Sequence, residues 1–265
     1  AFRIAAVITQ PDRPVGRSQE LTPPAVKVAA QELQLPVLQP ENINTLVSPD
    51  GPVGIPLCDF LVVVSYGQLL TEEVLQYPLT AAVNVHASLL PHLRGASPIQ
   101  SAMLLGDTAT GVTVQKMVRE LDAGAILGQE RVAIGPLETA PELHDRLADL
   151  GAALLVRTLK APLEPREQDP VLVTHCKKLS REDGVVDIDT MTAAEIDRRV
   201  RALTPWPGVR VIGKNKEEMK LLHTSLSPAP EALPVECKDG TTLYLVSVQV
   251  PGGKPMSGQA WERGA

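Results

Sequence analysis
Leu61-Val62-Val63-Val64-Ser65, bounded by Asp59 and Gly67, is the stretch that decides the fold. A short apolar run rich in β-branched residues suits a central parallel strand, buried on both faces. Working outward, Thr71–Gln76 reads as a helix and Ala81–His86 as a second strand. Upstream, residues 3–9 and Pro36-Val37-Leu38 read as strands. Between them lie a loop from Gln10 to Leu21 and a helix that Pro23-Pro24 opens and that runs to about Leu33. Downstream, Ser97-Pro98 starts a helix that stops at Gly106, and Val112–Met117 and Ile126–Ile134 read as strands. Thr139-Ala140-Pro141-Glu142 is a capping-box pattern ahead of an amphipathic helix to about Leu159. Strands alternating with helices predict an open, mostly parallel α/β sheet over residues 1–165.

The texture then changes. Residues 166–180 read as a linker, prefaced by Pro162 and Pro165, and 181–265 as a second domain. That domain opens with a helix, Ala193–Leu203, stopped by Thr204-Pro205-Trp206-Pro207-Gly208. Short β-like runs follow at Val209–Ile212, Met219–His223 and Thr241–Val250, which predict a small barrel or sandwich. A length of 265 residues accommodates both domains, and 44% apolar with 21% charged residues excludes disorder and coiled coil. Aromatics at 3% argue against a base-stacking platform, and a net charge of −6 argues against binding polyanions by bulk charge. The segment 198–220 is the exception, with Arg198, Arg199, Arg201, Arg210, Lys214, Lys216 and Lys220 against Glu217 and Glu218. It reads either as a solvated surface or as a local polyanion contact. Cys58, Cys176 and Cys237 have no metal-ligand spacing and read as reduced thiols, and no apolar run is long enough to span a membrane.

The densest chemistry lies in Asn84-Val85-His86-Ala87-Ser88-Leu89-Leu90-Pro91. Alternation along a strand points Asn84 and His86 to one face, at the carboxyl end where open α/β sheets place their ligand crevice. An imidazole suits proton transfer near neutral pH, and an amide NH₂ can stabilise an oxyanion. A carboxylate to orient the imidazole is the missing member. Asp122, in the polar turn Glu120-Leu121-Asp122-Ala123-Gly124, is the candidate. A strand histidine is also compatible with a purely structural role. His92 follows Pro91 in a polar loop, His144 sits in a helix, His175 and His223 have no acidic or cysteine partner at metal spacing, and there is no dinucleotide, P-loop or esterase motif.

Asn84 to Pro91, Arg94-Gly95-Ala96-Ser97-Pro98-Ile99-Gln100, Thr110-Gly111-Val112-Thr113 and Leu121-Asp122-Ala123-Gly124 together resemble the folate-dependent formyltransferases. Thr9-Gln10-Pro11-Asp12-Arg13-Pro14, Arg201-Ala202-Leu203-Thr204-Pro205-Trp206-Pro207 and Pro251-Gly252-Gly253-Lys254-Pro255-Met256-Ser257 narrow the resemblance to the branch that acts on methionyl-tRNA. The resemblance implies a Rossmann-like catalytic domain followed by a small OB-like β-barrel. It implies formyl transfer from 10-formyltetrahydrofolate to the amino group of initiator Met-tRNA, for translation initiation. Asn84 would hold the formyl oxygen, His86 would manage protons and Asp122 would orient His86. Ser88, Leu89, Leu90 and Pro91 would line the folate site. Arg17 would reach the tRNA acceptor end, and Arg198, Arg201, Lys214 and Lys216 would meet its backbone. The chemistry needs no metal. The expected setting is a soluble monomer in the cytoplasm, or in an organelle matrix or stroma.

Three departures from the family pattern carry expectations of their own. The family's first strand and helix, with their Gly-Thr-Pro signature, have no match here, which predicts exposed strand edges and apolar surface. Ser18-Gln19-Glu20 makes the loop after Arg17 less cationic than is usual. Ser225–Val235 is short, which puts closure of the barrel in question. Two competing readings follow: a formyltransferase acting on a small amine such as a nucleotide sugar, and an inactive fragment that only binds folate or RNA.

Overall fold
The computed structural model describes residues 2–16, 19–48, 51–52, 54–212 and 218–264. In chain order the strands and helices begin with β1 (Val7–Ile8), α1 (Ala25–Glu32), β2 (Val37–Leu38), β3 (Phe60–Val63), α2 (Glu72–Gln76) and β4 (Ala81–His86). They continue with α3 (Pro98–Leu105), β5 (Ala109–Lys116), β6 (Ile126–Ala133) and α4 (Ala140–Lys160). β1 pairs in parallel with β2, and β3 in parallel with β4, with Val63 opposite Asn84. β3 and β4 belong to a four-stranded sheet in the order β6-β5-β4-β3. The β5–β6 hairpin is antiparallel: Lys116 N–H donates to the Ala125 carbonyl at one end and Ile134 N–H to the Thr108 carbonyl at the other. The predicted α/β architecture is present. The loop from Gln10 to Leu21 contains a small hairpin, Arg13–Val15 with Glu20–Thr22, that propensity did not reveal.

Local signals account for the helix ends. Gly106 takes φ +79 and stops α3, a conformation that costs glycine nothing. Glu142 closes the cap ahead of α4, accepting from the Thr139 N–H at 2.8 Å and from its hydroxyl at 2.7 Å. Those bonds, the backbone one first, hold the Glu142 carboxyl below its ordinary value.

The second set of elements is β7 (Val185–Val186), α5 (Ala193–Leu203), β8 (Val209–Ile212), β9 (Glu218–Ser225), β10 (Leu233–Glu236), β11 (Thr242–Gln249), β12 (Met256–Ser257) and α6 (Gly258–Gly264). The strands form one sheet in the order β7-β8-β9-β11-β10, with β12 also on β11. The β8–β9, β9–β11 and β11–β10 pairs are antiparallel, and β7 lies parallel to β8. Among the described residues no β7–β10 pair closes this ladder into a ring. The expected linker is partly ordered as strand, since His175–Cys176 pairs in parallel with Arg94–Gly95.

The chain divides into two compact units that interleave in sequence. The first contains the chain up to His86, Val114–Gly128 and Thr158–Gln168, and the second the remainder. In the first, Ile43, Ile55 and Val74 form a core against which Ile8, Leu61 and Tyr77 pack. β3 is the edge of its sheet, leaving Val62 41% and Val64 58% exposed. The run expected as a central strand buried on both faces is therefore an edge strand among the described residues, because no further strand pairs with its outer side there. In the second unit α5 presents Ile196, Val200 and Leu203 to a core that includes Leu221, Leu243 and Leu245. Leu243 is fully buried at the centre of that sheet. Leu243→Ala should destabilise the second unit by about 2–5 kcal/mol, read as a lowered midpoint in urea unfolding.

Candidate active site
The site is built at the end of β4 and in the β5–β6 connection, within the first compact unit. The pleat of β4 sets Asn84 and His86 on one face, and His86 is 6% exposed. The connection runs close to β4, with Met117 N–H donating to the Ala82 carbonyl at 2.8 Å. Only glycine fits at position 124, where a Cβ would come within 1.7 Å of the Lys116 carbonyl oxygen. Asp122 takes φ +53, a left-handed conformation that aspartate tolerates better than most residues. Its Oδ1 lies 3.5 Å from His86 Nδ1, with the two side chains 8% and 7% exposed.

Two glutamines support this pair, and sequence reasoning missed both. Gln115 Nε2 donates to the same Asp122 Oδ1 at 3.0 Å. Gln168 Nε2 donates to the carbonyls of Asp122 and Gly124, each at 2.8 Å, and so ties the turn to the start of the linker. Gln115 reads in sequence as one more residue of a strand, and Gln168 as one of several polar residues in a linker, so neither carried a signal.

A cavity of about 70 Å³ opens here. Gln68, Asn84, Gln115, Arg119, Glu120 and Asp122 contribute its polar lining, and Leu69, Leu70, Leu75, Met117, Val118 and Leu121 its apolar lining. Asn84 and Asp122 line this cavity and His86 stands behind Asp122, 3.5 Å from its Oδ1; an amide, an imidazole and a carboxylate so grouped can together stabilise charge on a carbonyl oxygen and move a proton.

The remaining predicted residues fall elsewhere. Ser88 to Pro91 belong to the second unit and are fixed by buried hydrogen bonds there. The Ser88 hydroxyl donates to the His92 carbonyl at 2.5 Å, and the Ser88 carbonyl accepts from Thr113 Oγ1 at 2.7 Å. Leu90 N–H donates to Thr113 Oγ1 at 3.1 Å, and the Leu90 carbonyl accepts from Gln129 Nε2 at 2.9 Å. Leu89 packs against Gly111, where a Cβ would lie 2.5 Å from its Cδ2. Pro91 follows a cis peptide bond. Arg198 runs beside Gly106 at the end of α3. Arg201 is engaged within the protein: its Nε donates to Asp197 Oδ2 at 3.0 Å and its guanidinium to the Glu138 carbonyl at 3.1 Å. Arg17, Lys214 and Lys216 lie outside the described residues. His92, read as a plain loop residue, sits between Asp107 at 2.9 Å and the Thr174 hydroxyl at 2.7 Å. Among the described residues no group of His, Cys, Asp and Glu could hold a metal ion.

The root of the loop that carries Arg17 is anchored. Lys27 Nζ reaches both Asp12 oxygens, at 2.9 and 2.7 Å, and Gln39 Nε2 reaches Oδ1 at 2.8 Å. The Gln39 bond first, and then Lys27, hold the Asp12 carboxyl below its ordinary value.

Comparison with known proteins settles the family. The formyl transferase family profile matches residues 2–159, and the profile of the formyl transferase C-terminal domain matches residues 178–265. The chain belongs to the formyl transferase family. Within this family it is 41% identical to a methionyl-tRNA formyltransferase of Nitratidesulfovibrio vulgaris, over 97% of this chain and 84% of that one. It is 40% identical to the methionyl-tRNA formyltransferase of Granulibacter bethesdensis, over 98% and 86%. Among solved structures it resembles HypX from Aquifex aeolicus in complex with tetrahydrofolic acid, with a TM-score of 0.65 at 15% identity, covering 97% of this chain and 46% of that one. It also resembles the N-formyltransferase from Helicobacter canadensis in complex with folinic acid and dTDP-3-aminofucose, with a TM-score of 0.65 at 16% identity over 89% and 86%. At such identities these two show the formyl transferase fold alone.

Gln168→Ala leaves the carbonyls of Asp122 and Gly124 without their donor. Each such loss costs about 1–3 kcal/mol when the group stays buried. The variant should melt several degrees lower, and differential scanning calorimetry checks this.

Proposed function
We propose that this formyl transferase moves the formyl group of 10-formyltetrahydrofolate to the α-amino group of methionine carried by initiator tRNA, and so serves translation initiation. One observation carries the reading: identity near 40% runs almost end to end against curated methionyl-tRNA formyltransferases, through both domains. The solved sugar N-formyltransferases share only the fold.

The donor supplies an activated formyl group. The cavity supports this, because Asn84 and Asp122 line it together with Leu69, Leu70, Leu75 and Met117, polar groups for the formyl unit beside apolar ones for a flat heterocycle. Asn84 donates an amide N–H to the formyl oxygen as negative charge develops there. His86 accepts the proton that the attacking amine must lose and returns it to the leaving nitrogen. Asp122 orients the His86 ring and stabilises its protonated form across the 3.5 Å gap. We assign Ser88, Leu89, Leu90 and Pro91 to the donor as well. Their dense hydrogen bonding supports this, since a rigid segment holds a ligand without ordering costs on binding.

We assign the acceptor end of the tRNA to Arg17 and its backbone to Arg198, Lys214 and Lys216. Arg201, already paired with Asp197, keeps a lesser share. We read 1–165 as the catalytic domain, 166–180 as the linker and 181–265 as the tRNA-binding domain, which the profile matches to 2–159 and 178–265 support. We place the enzyme in the cytoplasm, or an organelle matrix or stroma, acting as a monomer without a metal. Among the described residues no helix is long and apolar enough to cross a membrane.

His86→Ala and Asp122→Ala should each lower turnover by about 10²–10⁴, with the dissociation constant for the folate within about threefold of wild type. Near-normal turnover in a quench-flow assay of either variant contradicts the mechanism. Arg17→Ala should raise KM for Met-tRNA by roughly tenfold, the loss of about one charge-assisted contact, while leaving reaction with a free methionyl amine unchanged. Equal effects on both substrates remove Arg17 from the tRNA contact.

A further inference from the structure
We propose that Gln115 is a positioning residue for formyl transfer, whose amide holds the Asp122 carboxylate toward His86. The inference rests on the reading of Asn84, His86 and Asp122 as the formyl-transfer site. Gln115 lies in β5, where its neighbours Val112 and Val114 are 1% and 0% exposed and Gln115 itself is 2% exposed. A wholly buried strand position ordinarily takes an apolar residue. Here Nε2 donates to Asp122 Oδ1 at 3.0 Å, while Oε1 is buried with no hydrogen-bond partner among the described residues.

That imbalance is informative. A buried acceptor without a partner destabilises the fold, and an apolar residue of the same shape avoids the penalty. Methionine matches glutamine in length and fills irregular space readily. Packing therefore does not account for an amide here, whereas its contact with Asp122 does. The oxygen that Gln115 holds is the one that faces His86 Nδ1 at 3.5 Å. A carboxylate's terminal torsion is broad and only weakly restrained by its own rotamer. Gln168 fixes the backbone of Asp122 through its carbonyl, and Gln115 fixes the head of the side chain. The amide cannot turn over without setting Oε1 against a carboxylate oxygen, so the restraint has one sense.

The test is Gln115→Met, compared with wild type in formyl transfer to Met-tRNA. The expected result is a fall in kcat of about 10- to 100-fold, the usual scale of losing a group that aligns a catalytic one. KM for both substrates stays within twofold, and the melting temperature is equal to or above that of wild type. A kcat within twofold of wild type overturns the proposal. A fall in kcat that comes with a lowered melting temperature assigns Gln115 to packing and also overturns it, as does a loss carried in KM. The ring ¹⁵N signals of His86 read the same contact without any substrate. In Gln115→Met they should move toward the values seen in Asp122→Asn, and unmoved signals overturn the proposal even if the wild type proves inactive on Met-tRNA. Inactivity of the wild type on Met-tRNA, in contrast, contradicts only the functional reading.

Discussion

One carboxylate oxygen, Asp122 Oδ1, stands between His86 at 3.5 Å and Gln115 at 3.0 Å, and the chemistry of the site depends on where it is held. A histidine that must take and return a proton needs a fixed ring and a partner for its charged form. In the proposed mechanism Asp122 supplies both, from the nine-residue connection 117–125, whose shape is set by backbone constraints. Gly124 admits the close approach of Lys116, and Asp122 itself adopts a left-handed conformation. Gln168, from a distant part of the sequence, caps two of the turn's carbonyls. The geometry of the Asp122 turn is therefore held by hydrogen bonds from two glutamines.

The sheet supplies the rest. Parallel pairing of β3 with β4 brings Val63 opposite Asn84 and carries the carboxyl end of β4 to the cavity. Two-residue alternation then sets Asn84 and His86 on one face, so that an amide and an imidazole stand together. Leu69, Leu70 and Met117 add apolar surface to a cavity that Asn84 and Asp122 also line. Hydrogen bonds to developing charge are stronger in such surroundings than in water.

The parts legible in the sequence were those with a local cause. α5 begins with a reciprocal capping box between Thr192 and Glu195, and its predicted span is the observed one. Ala81–His86 and Val209–Ile212 were likewise read to the residue. Asn84, His86 and Asp122 could be named because strand alternation and a polar turn mark them. What escaped depends on contacts distant in sequence. Gln168 meets Asp122 across 46 residues, and His92 meets Thr174 across 82. Arg201 was read as a phosphate contact from the basic run around it, although Asp197 one helical turn earlier claims its guanidinium. That i, i+4 pair was visible in the sequence and is the signal that separates Arg201 from Arg198.

The central claim is formyl transfer to methionine on initiator tRNA, and the most direct measurement is single-turnover transfer from 10-formyltetrahydrofolate by the 265-residue chain. Charged initiator Met-tRNA and an amino-sugar nucleotide are offered in parallel. The expected products are formyl-methionyl-tRNA and no formylated sugar. Formylation of the sugar in preference to Met-tRNA contradicts it.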